Sequence, residues 1–505
     1  MQRLFGIETE YGITIENKKN IDPVQLSIEL IKSYRQGDFR PMWDYDGEDP
    51  FRDERGFRAS ELQEHPDERQ YQEQDRQRNL AYNEIKSDMI LVNGARLYND
   101  HAHPEYSTPE CRSLFELIAH DKAGERILRQ CAARRSEKLH REVLLYKNNT
   151  DFHGHSYGCH DNYLMKREIE FDYLKESIMP FFVTRQIFAG AGKVGIETES
   201  GISSAGFFQL AQRSDFFHVE ISVDTMHNRP IVNTRDEPHA DAAKYRRLHG
   251  IVGDANMSEY STALKLGTTA LVISLIEKLQ IPDSFAVNNP TQTIKEISRD
   301  QTYEWKLKLN NGRIISAIDL QREYLNLAQQ HFAGEDSETD WVLTEWESVL
   351  DRLEKDPMSL ADSLDWVAKK WLLETFIDEE GVSWDDPWLQ SLDLEYHNIN
   401  QDKGLYYGLQ SQGSMRRVVT NQQIEHAIHH PPSDTRAYFR GKSLNKFSAD
   451  VKSIQWDNIT FNVKGKPVFV CMKKLADPTL AAEYNRVLNN SSTVESLVDS
   501  LGIRN

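Results

Sequence analysis

Two sets of side chains alternate over the first part of the chain. One set is mostly apolar and consists of Phe5, Ile7, Thr9, Tyr11 and Ile13. The other is small or acidic and consists of Gly6, Glu8, Glu10, Gly12 and Thr14. Because successive side chains of a strand point to opposite faces, this period of two predicts a strand that buries the first set.

Longer patterns with the helical period follow along the chain. They predict helices over residues 24–35, about 121–145, near 172–190, 258–279 and through 318–396. Asn93-Gly94 separates two short apolar runs, which is a strong local signal for a β-hairpin. Short apolar runs elsewhere predict further strands. Together these elements predict an α+β fold with a mostly antiparallel sheet.

The segment 36–87 interrupts this pattern, because it is dense in charge and poor in aliphatic side chains. Such a segment cannot offset its ordering entropy by burial, so we predict a mobile charged insertion. Its apolar island consists of Trp43, Tyr45, Phe51 and Phe57. An idle surface loop and a functional loop are both compatible with this composition. The Pro431-Pro432 pair predicts a break between a large domain, 1–430, and a small C-terminal domain, 431–505.

Composition excludes several classes of protein. The chain has 505 residues, with 60 Lys+Arg against 79 Asp+Glu and a formal net charge of -19. This acidic balance argues against extended binding of nucleic acid. No apolar stretch is long enough to span a membrane, and the N-terminus lacks the apolar run of a signal peptide. The four cysteines are scattered, so we expect a cytoplasmic protein with reduced thiols.

The first candidate chemistry is a pair of carboxylates on the N-terminal strand. Glu8 and Glu10 point to the same face, roughly 7 Å apart. Two carboxylates flanked by glycines suit Mg²⁺, which prefers oxygen ligands. Taken alone, the pair is more typical of a solvated strand face.

A second group follows the predicted hairpin. Arg96, Tyr98 and Asp100 alternate onto one strand face, and Glu105 lies in the next segment. If the two strands were neighbours, the carboxylates would converge on the pair at the N-terminus. Like charges that close need a metal ion, or one of them must bind a proton. The nearby His101-x-His103 pair lacks further ligands at zinc spacing, so we expect no zinc site.

Two other motifs are less informative. The run 233–241 with 245–249 is polar and charged, and fits either a surface turn or a loop that binds phosphate or an acidic chain. Gly190-Ala191-Gly192-Lys193 looks like a phosphate loop, but Val194 stands where that loop needs Ser or Thr. We interpret it as a turn between a helix and a strand.

Several specific runs now combine. They are 6–12, 93–98, 103–106, 147–151, 156–158, 233–241, 245–249 and 435–441. Together they resemble the Pup ligase and depupylase family, which is related to glutamine synthetase and the carboxylate–amine ligases. The resemblance extends from residue 1 to about residue 465. It implies a glutamine synthetase-like large domain, in which helices flank a curved antiparallel sheet, followed by a small C-terminal α/β domain.

Within that family the chain resembles depupylases rather than ligases. The insertion 36–87 is similar to a loop that depupylases carry and ligases lack. The loop His101-Ala102-His103-Pro104 has the short depupylase form, and 404–406, 413–417 and 434–441 are also depupylase-like. One departure is Asp161, where the family usually has Glu. Strand alternation places it opposite the face of His160 and Asn162.

The resemblance implies ATP and Mg²⁺ as cofactors, with ATP retained rather than consumed as fuel. The implied metal residues are Glu8, Glu10, Tyr98, Glu105 and His249. The implied nucleotide contacts are Arg96, Thr108 and Trp456, the last beside the adenine, with Arg436 and Arg440 as further phosphate ligands. Asp100 matches the catalytic aspartate, acting either as a nucleophile or as a general base.

The implied partner is Pup, a small, disordered, acidic protein, together with pupylated proteins and a functional link to the proteasome. The implied activity is hydrolysis at the side chain of the C-terminal residue of Pup, as deamidation of Gln or as cleavage of the isopeptide to lysine. An acidic partner requires a local basic groove on an acidic enzyme, for which Arg213, Arg246 and Arg247 are candidates. The alternatives are a Pup–protein ligase and a non-catalytic Pup-binding regulator. A small-molecule γ-glutamyl ligase has no positive signal.

Overall fold

The computed structural model describes residues 3–34, 40, 42–62, 68–198 and 201–503. Its strands are β1 Phe5–Glu10, β2 Gly12–Ile15, β3 Met89–Ile90, β4 Arg96–Asp100, β5 His103–Ser107, β6 Val143–Tyr146, β7 Cys159–Lys166, β8 Lys193–Thr198, β9 Gly201–Gln209, β10 Phe217–Ser222, β11 Arg229–Asn233, β12 Tyr245–Gly250, β13 Lys306–Lys308, β14 Ile314–Ser316, β15 Val451–Ile454, β16 Asn458–Val463 and β17 Lys466–Cys471.

The helices lie between these strands or follow one another in runs. They are α1 Pro23–Lys32, α2 Glu68–Gln77, α3 Tyr82–Lys86, α4 Leu114–Leu139, α5 Phe171–Thr184, α6 Gln186–Ala189, α7 Glu259–Glu277, α8 Pro290–Arg299, α9 Ala317–Phe332, α10 Ser337–Lys355, α11 Asp365–Glu380, α12 Pro387–Tyr396, α13 Leu405–Ser411, α14 Asn421–His429, α15 Arg436–Phe447, α16 Pro478–Asn490 and α17 Val494–Ser500. None of the described helices is long and apolar enough to cross a bilayer.

The central sheet has six strands in the order β12-β7-β1-β5-β4-β3, and every pair is antiparallel. The α+β prediction with an antiparallel sheet is therefore confirmed. The N-terminal alternation is confirmed as well, because Phe5, Ile7 and Thr9 are buried while the side chains between them are partly exposed. The predicted strand nevertheless divides at Tyr11, after which β2 pairs with β6 in a separate two-stranded sheet.

Helices cover the buried face of this sheet. The long apolar helix predicted over 258–279 is α7, which is buried almost all round and contacts α4, α5 and β7. The helix predicted over 121–145 is displaced, because α4 begins seven residues earlier, where Ser113 caps it, and ends at His140 in a left-handed conformation (φ 51°). Residues Val143–Tyr146 are strand β6 instead. Residues 190–192 link α6 to β8, as predicted for the glycine-rich turn.

A second hydrophobic core lies near the C-terminus. It contains side chains of α15–α17 and of the three-stranded sheet β15-β16-β17, including Phe439, Phe461 and Leu488. Two of its members, Trp43 and Ile90, come from far earlier in the chain. The division of the chain at residue 430 stays a prediction.

The insertion contributes directly to this second core, which corrects the expectation that 36–87 packs little. Trp43 is 5% exposed and forms a parallel bridge with Ile454. Its indole packs edge-on to Trp456 with ring centroids 5.5 Å apart. Further along, Asp53 is buried and accepts a hydrogen bond from Thr234 at 2.6 Å. Composition concealed these contacts because the partners lie about 200 and 400 residues away along the chain.

Trp43→Ala is expected to lower the free energy of unfolding by roughly 3 kcal/mol, because it removes a buried indole from the second core. Phe57→Ala is the matched control, since Phe57 belongs to the same insertion but is 49% exposed. We expect the control to change stability by less than about 0.5 kcal/mol. Urea unfolding followed by fluorescence measures both. Equal, small effects would show that the insertion does not pack on the second core.

Candidate functional site

The polar face of the central sheet gathers side chains from five strands. Glu8 on β1 pairs with Ser107 on β5, which pairs in turn with Arg96 on β4. Two residues further along β1, Glu10 pairs with Glu105 on β5, and Glu105 pairs with Tyr98 on β4. Because side chains directly opposite on neighbouring strands share a face, two polar rows cross the middle of the sheet. Strands β1 and β4, which carry the two predicted groups of polar side chains, are therefore close, but β5 lies between them.

These rows bring the predicted carboxylates together. Ligand atoms of Glu10, Asp100 and Glu105 all lie within 4.8 Å of one another. A second group within the same limit is Glu8, His160 and His249. The Tyr98 hydroxyl joins the first group by donating to Glu105 Oε1 at 2.6 Å. The five residues predicted to hold metal thus fall into two adjacent groups on one face.

The residues predicted from the sequence to hold metal did not include His160, which the structure places beside Glu8 and His249. It lies on β7 directly opposite Glu8, and its Nδ1 is 3.3 Å from Glu8 Oε2. The signal that could have found it is alternation, since His160 shares a strand face with Asn162. The departure at Asp161 is harmless to this face, as predicted, because Asp161 points into the core and pairs with Arg185 at 2.8 Å.

The electrostatics of the first group favour a cation. Burial raises the pKa of Glu105, and repulsion by Asp100 and the two β1 carboxylates raises it further, well above its ordinary value. Burial alone would also raise the pKa of Asp100, but the Lys86 ammonium outweighs it and holds that pKa far below its usual range. Lys86 Nζ lies 2.6 Å from Asp100 Oδ1. Closely spaced carboxylate oxygens with a phenol form a donor set suited to Mg²⁺.

The charges around the second group differ from those around the first. Burial would raise the pKa of Glu8, but hydrogen bonding to His160 and the charge of Arg247 lower it. Burial first, and then Arg247, hold the pKa of His249 well below its ordinary value. Asn162 Oδ1 lies 2.8 Å from His249 Nδ1 and fixes the ring. A neutral imidazole beside an ionised carboxylate is able to bind a metal ion.

Glu8, Glu10, Asp100 and Glu105 together form a belt of carboxylates across the sheet. Two cavities flank this belt. The smaller has a volume of about 650 Å³, and Glu8 stands in its wall. Of the predicted nucleotide contacts, Thr108, Arg436 and Trp456 line it, together with Pro238, His239 and Arg247. The Thr108 side chain is fixed because its Oγ1 accepts from the Ile7 backbone N–H at 3.0 Å. This cavity joins apolar walls and an indole to cationic side chains, as an adenine nucleotide requires.

Arg96 and Arg440 do not line that cavity. Arg440 is fully buried, where it donates to Glu110 Oε2 at 2.5 Å and to the Gly94 carbonyl at 2.8 Å. It therefore joins helix α15 to the hairpin formed by β3 and β4. Arg436 shares Glu110 through a 2.7 Å ion pair while still facing the cavity. The two arginines, acting against burial, lower the pKa of Glu110 to about 2.

Arg96 is enclosed by aromatic rings. Its guanidinium carbon lies 3.8 Å from the centroid of Trp43 and 4.0 Å from that of Tyr98. Its Nε donates to Asp88 Oδ1 at 2.6 Å. The insertion therefore covers one side of the predicted phosphate-binding arginine, a placement that composition did not reveal.

The larger cavity is a cleft of about 1370 Å³ on the opposite side of the belt. Asp100 and Glu10 stand in its wall, with His103 and Tyr157 stacked at 4.3 Å between ring centroids. The predicted basic groove is only partly here, because Arg213 lines the cleft but Arg246 and Arg247 do not. Arg246 pairs with Glu54 at 3.0 Å, and Arg247 faces the smaller cavity. An ionised Asp100 at the edge of this cleft is placed to attack an amide, or to activate water against one.

Comparisons with known proteins find both depupylases and Pup ligases similar to this chain. The family described as Pup-ligase protein matches residues 3–460. A depupylase of Acidothermus cellulolyticus is 44% identical over 476 residues, covering 92% of this chain and 92% of the relative. A Pup deamidase/depupylase of Mycolicibacterium smegmatis is 44% identical over 475 residues with the same coverage. A Pup–protein ligase of Nocardioides sp. is 42% identical over 397 residues, covering 76% of this chain and 86% of the ligase.

Solved structures agree in fold. The complex between prokaryotic ubiquitin-like protein Pup and its ligase PafA superposes with a TM-score of 0.78 at 32% identity, covering 99% of this chain and 95% of the other. The ligase PafA in complex with ADP superposes with a TM-score of 0.72 at 36% identity, covering 85% of this chain and 96% of the other.

Proposed function

The chain belongs to the Pup-ligase family, and from this premise we propose that it is a Pup deamidase and depupylase. It converts the C-terminal Gln of Pup to Glu and hydrolyses the isopeptide bond between Pup and substrate lysines. The observation that carries this assignment is Asp100, which lies beside Glu10 and Glu105 and also lines the cleft of about 1370 Å³. The sequence similarity to a depupylase covers 92% of the chain and that to a ligase covers 76%, and this difference favours hydrolysis over ligation.

The side chains of the smaller cavity and those of the belt fit different cofactors. We assign the smaller cavity to an adenine nucleotide, with Trp456 beside the base and Thr108 and Arg436 near the phosphates. The oxygen-rich face formed by Glu8, Glu10, Tyr98 and Glu105, with His249, would hold Mg²⁺. Bound Mg²⁺ supplies positive charge against the negative charge that develops during attack on an amide.

Asp100 carries the bond-breaking step in either of two ways. As a nucleophile, its carboxylate bonds to the side-chain carbonyl carbon while the C–N bond breaks and the leaving amine takes a proton; water then cleaves the acyl–aspartate. As a general base, Asp100 removes a proton from water, whose oxygen attacks the same carbon; the C–N bond then breaks, and Asp100 gives the proton to the leaving amine. Both routes require an ionised carboxylate at the edge of the cleft, and the Lys86 ammonium supports that state. We place this activity in the cytoplasm, within the route that serves the proteasome.

The proposal is tested by incubating the protein with a purified Pup conjugate in the presence and absence of ATP and Mg²⁺. We expect release of the unmodified target protein and of Pup ending in Glu, only when ATP and Mg²⁺ are present. A conjugate that stays intact under both conditions would exclude the hydrolase assignment.

A further inference from the structure

Two tryptophans are exposed on a pair of helices that pack against each other. The chain has nine tryptophans, and seven of them are buried or partly buried. The other two are Trp371 on α11, which is 46% exposed, and Trp388 on α12, which is 67% exposed. A single exposed apolar side chain is ordinary, but a continuous apolar patch marks a site of interaction.

An apolar groove connects the two tryptophans into such a patch. Its volume is about 580 Å³. Its apolar lining comes from three helices and includes Leu372 and Phe376 of α11, Leu392 of α12 and Leu405 of α13. Thr375 also lines the groove, and Trp371 stands one helical turn before it. Trp388 stands one turn before Leu392. Because residues four apart share a helix face, both indoles border the groove and extend its apolar surface.

The surroundings of this groove are acidic. Residues 371–396 contain eight Asp and Glu and no Lys or Arg. Four of these acids are fully exposed, namely Asp378, Glu379, Glu380 and Asp385, and we call them the acidic rim. Lys369 in the groove wall is buried, where it pairs with Asp393 and donates to the Gly192 carbonyl at 2.7 Å. Lys370 pairs with Glu374 at 2.8 Å. The groove therefore combines an apolar floor with negative charge.

This combination fits one kind of partner. A groove between helices accepts the apolar face of an amphipathic helix. The acidic rim attracts a helix with Lys or Arg beside its apolar face, and it repels an acidic chain such as the one implied for Pup. We propose that the groove between α11 and α12 docks a basic amphipathic helix of a partner protein other than Pup.

The inference goes beyond the proposed function, because the groove shares no lining residue with the Asp100 cleft or with the nucleotide cavity. Exposed tryptophan is well suited to this role, since it gains a large apolar contact when a partner covers it while losing little conformational freedom. Trp388 is the more exposed of the two, so it is the residue whose removal tests the groove with the least effect on the fold.

The test uses a synthetic probe, which is a fluorescent peptide of about 18 residues composed of Leu and Lys, with the leucines on one helix face. A second peptide has the same composition in an order that gives no apolar face. A third has Glu in place of Lys. Binding to the whole protein is measured by fluorescence anisotropy. We expect the first peptide to bind at least about tenfold more tightly than either of the others.

Variants of the protein locate the binding. Trp388→Ser should weaken binding of the first peptide roughly tenfold, because it removes an indole from the border of the groove. Phe469→Ser is the matched control, since Phe469 is 56% exposed but lies on β17 in the sheet of the second core. It should change the affinity less than about twofold. Replacing Asp378, Glu379 and Glu380 by their amides should weaken binding and reduce its dependence on salt.

Trp388→Phe guards against misfolding, because it keeps an aromatic ring and should recover most of the affinity. Equal binding of the first peptide to Trp388→Ser and to the natural protein would overturn the inference, as would tighter binding of the Glu peptide. Self-association of the protein alone that Trp388→Ser abolishes, seen by sedimentation, would also overturn it, since a second copy would then be the occupant. None of these results depends on the proposed function, because the probe is not a substrate.

Discussion

Asp100→Asn is expected to lower the turnover of a Pup conjugate roughly 10³-fold or more. The substitution keeps the shape of the side chain but removes the negative charge that both catalytic routes require. Binding of ATP should stay within about threefold, because Asp100 lines the larger cleft and not the nucleotide cavity. Single-turnover cleavage measures the first effect, and calorimetry the second.

The control for this variant is Asp75→Asn. Asp75 also stands in the wall of the cleft, but it lies on helix α2 of the insertion and pairs with Arg78 at 2.9 Å. We expect its turnover to stay within about threefold of the natural enzyme. If Asp100→Asn still cleaved the conjugate at a comparable rate, the catalytic step would have to be assigned to another group in the belt.

Glu105→Gln is expected to have opposite effects with and without Mg²⁺. In the presence of a chelator, stability should rise by roughly 1 kcal/mol, because Glu105 lies directly opposite Glu10 and close to Asp100, and the change removes that repulsion. In the presence of Mg²⁺ and ATP, turnover should fall roughly 100-fold, because a buried oxygen ligand has lost its charge. Thermal unfolding and conjugate cleavage measure the two effects.

Glu168→Gln serves as its control, since Glu168 is 70% exposed and distant from the belt. Neither quantity should change beyond experimental error in that variant. A loss of stability in chelator for Glu105→Gln would mean that the carboxylates do not repel each other, and the argument for a cation at the belt would fail.

Local patterns predicted correctly which side chains share a strand face. The alternation of Phe5 and Ile7 with Glu8 and Glu10, and the row from Arg96 to Asp100, depend only on the period of a strand. The same argument placed Asp161 on the buried face. Such features survive folding because neighbouring residues along the chain determine them.

Features that depend on distant pairing were not predictable in this way. Strand β5 lies between β1 and β4, and this register brings Glu105 beside Glu10. The packing of Trp43 depends on Ile454, and the burial of Arg440 depends on Glu110. These contacts join segments that lie about 100 to 400 residues apart along the chain, so no local pattern predicts them. The identity of the substrate came from the resemblance of whole motifs and not from the chemistry of any one strand.

The structure also changes the meaning of the acidic net charge. Part of the acidic surplus lies in the belt, where Glu10, Asp100 and Glu105 come within 4.8 Å of one another. The wall of the cleft beyond the belt includes the cations Arg213 and Arg229, which the value of -19 conceals. A local cation attracts an acidic chain even where the net charge repels it at long range.

The direction of the reaction is the most direct test of the account. The protein is mixed with ATP and Mg²⁺, in one tube with a Pup conjugate and in another with free Pup ending in Glu and an unmodified target protein. We predict that the conjugate disappears in the first tube and that none forms in the second. Accumulation of conjugate in the second tube would contradict the account and identify the protein as a Pup ligase.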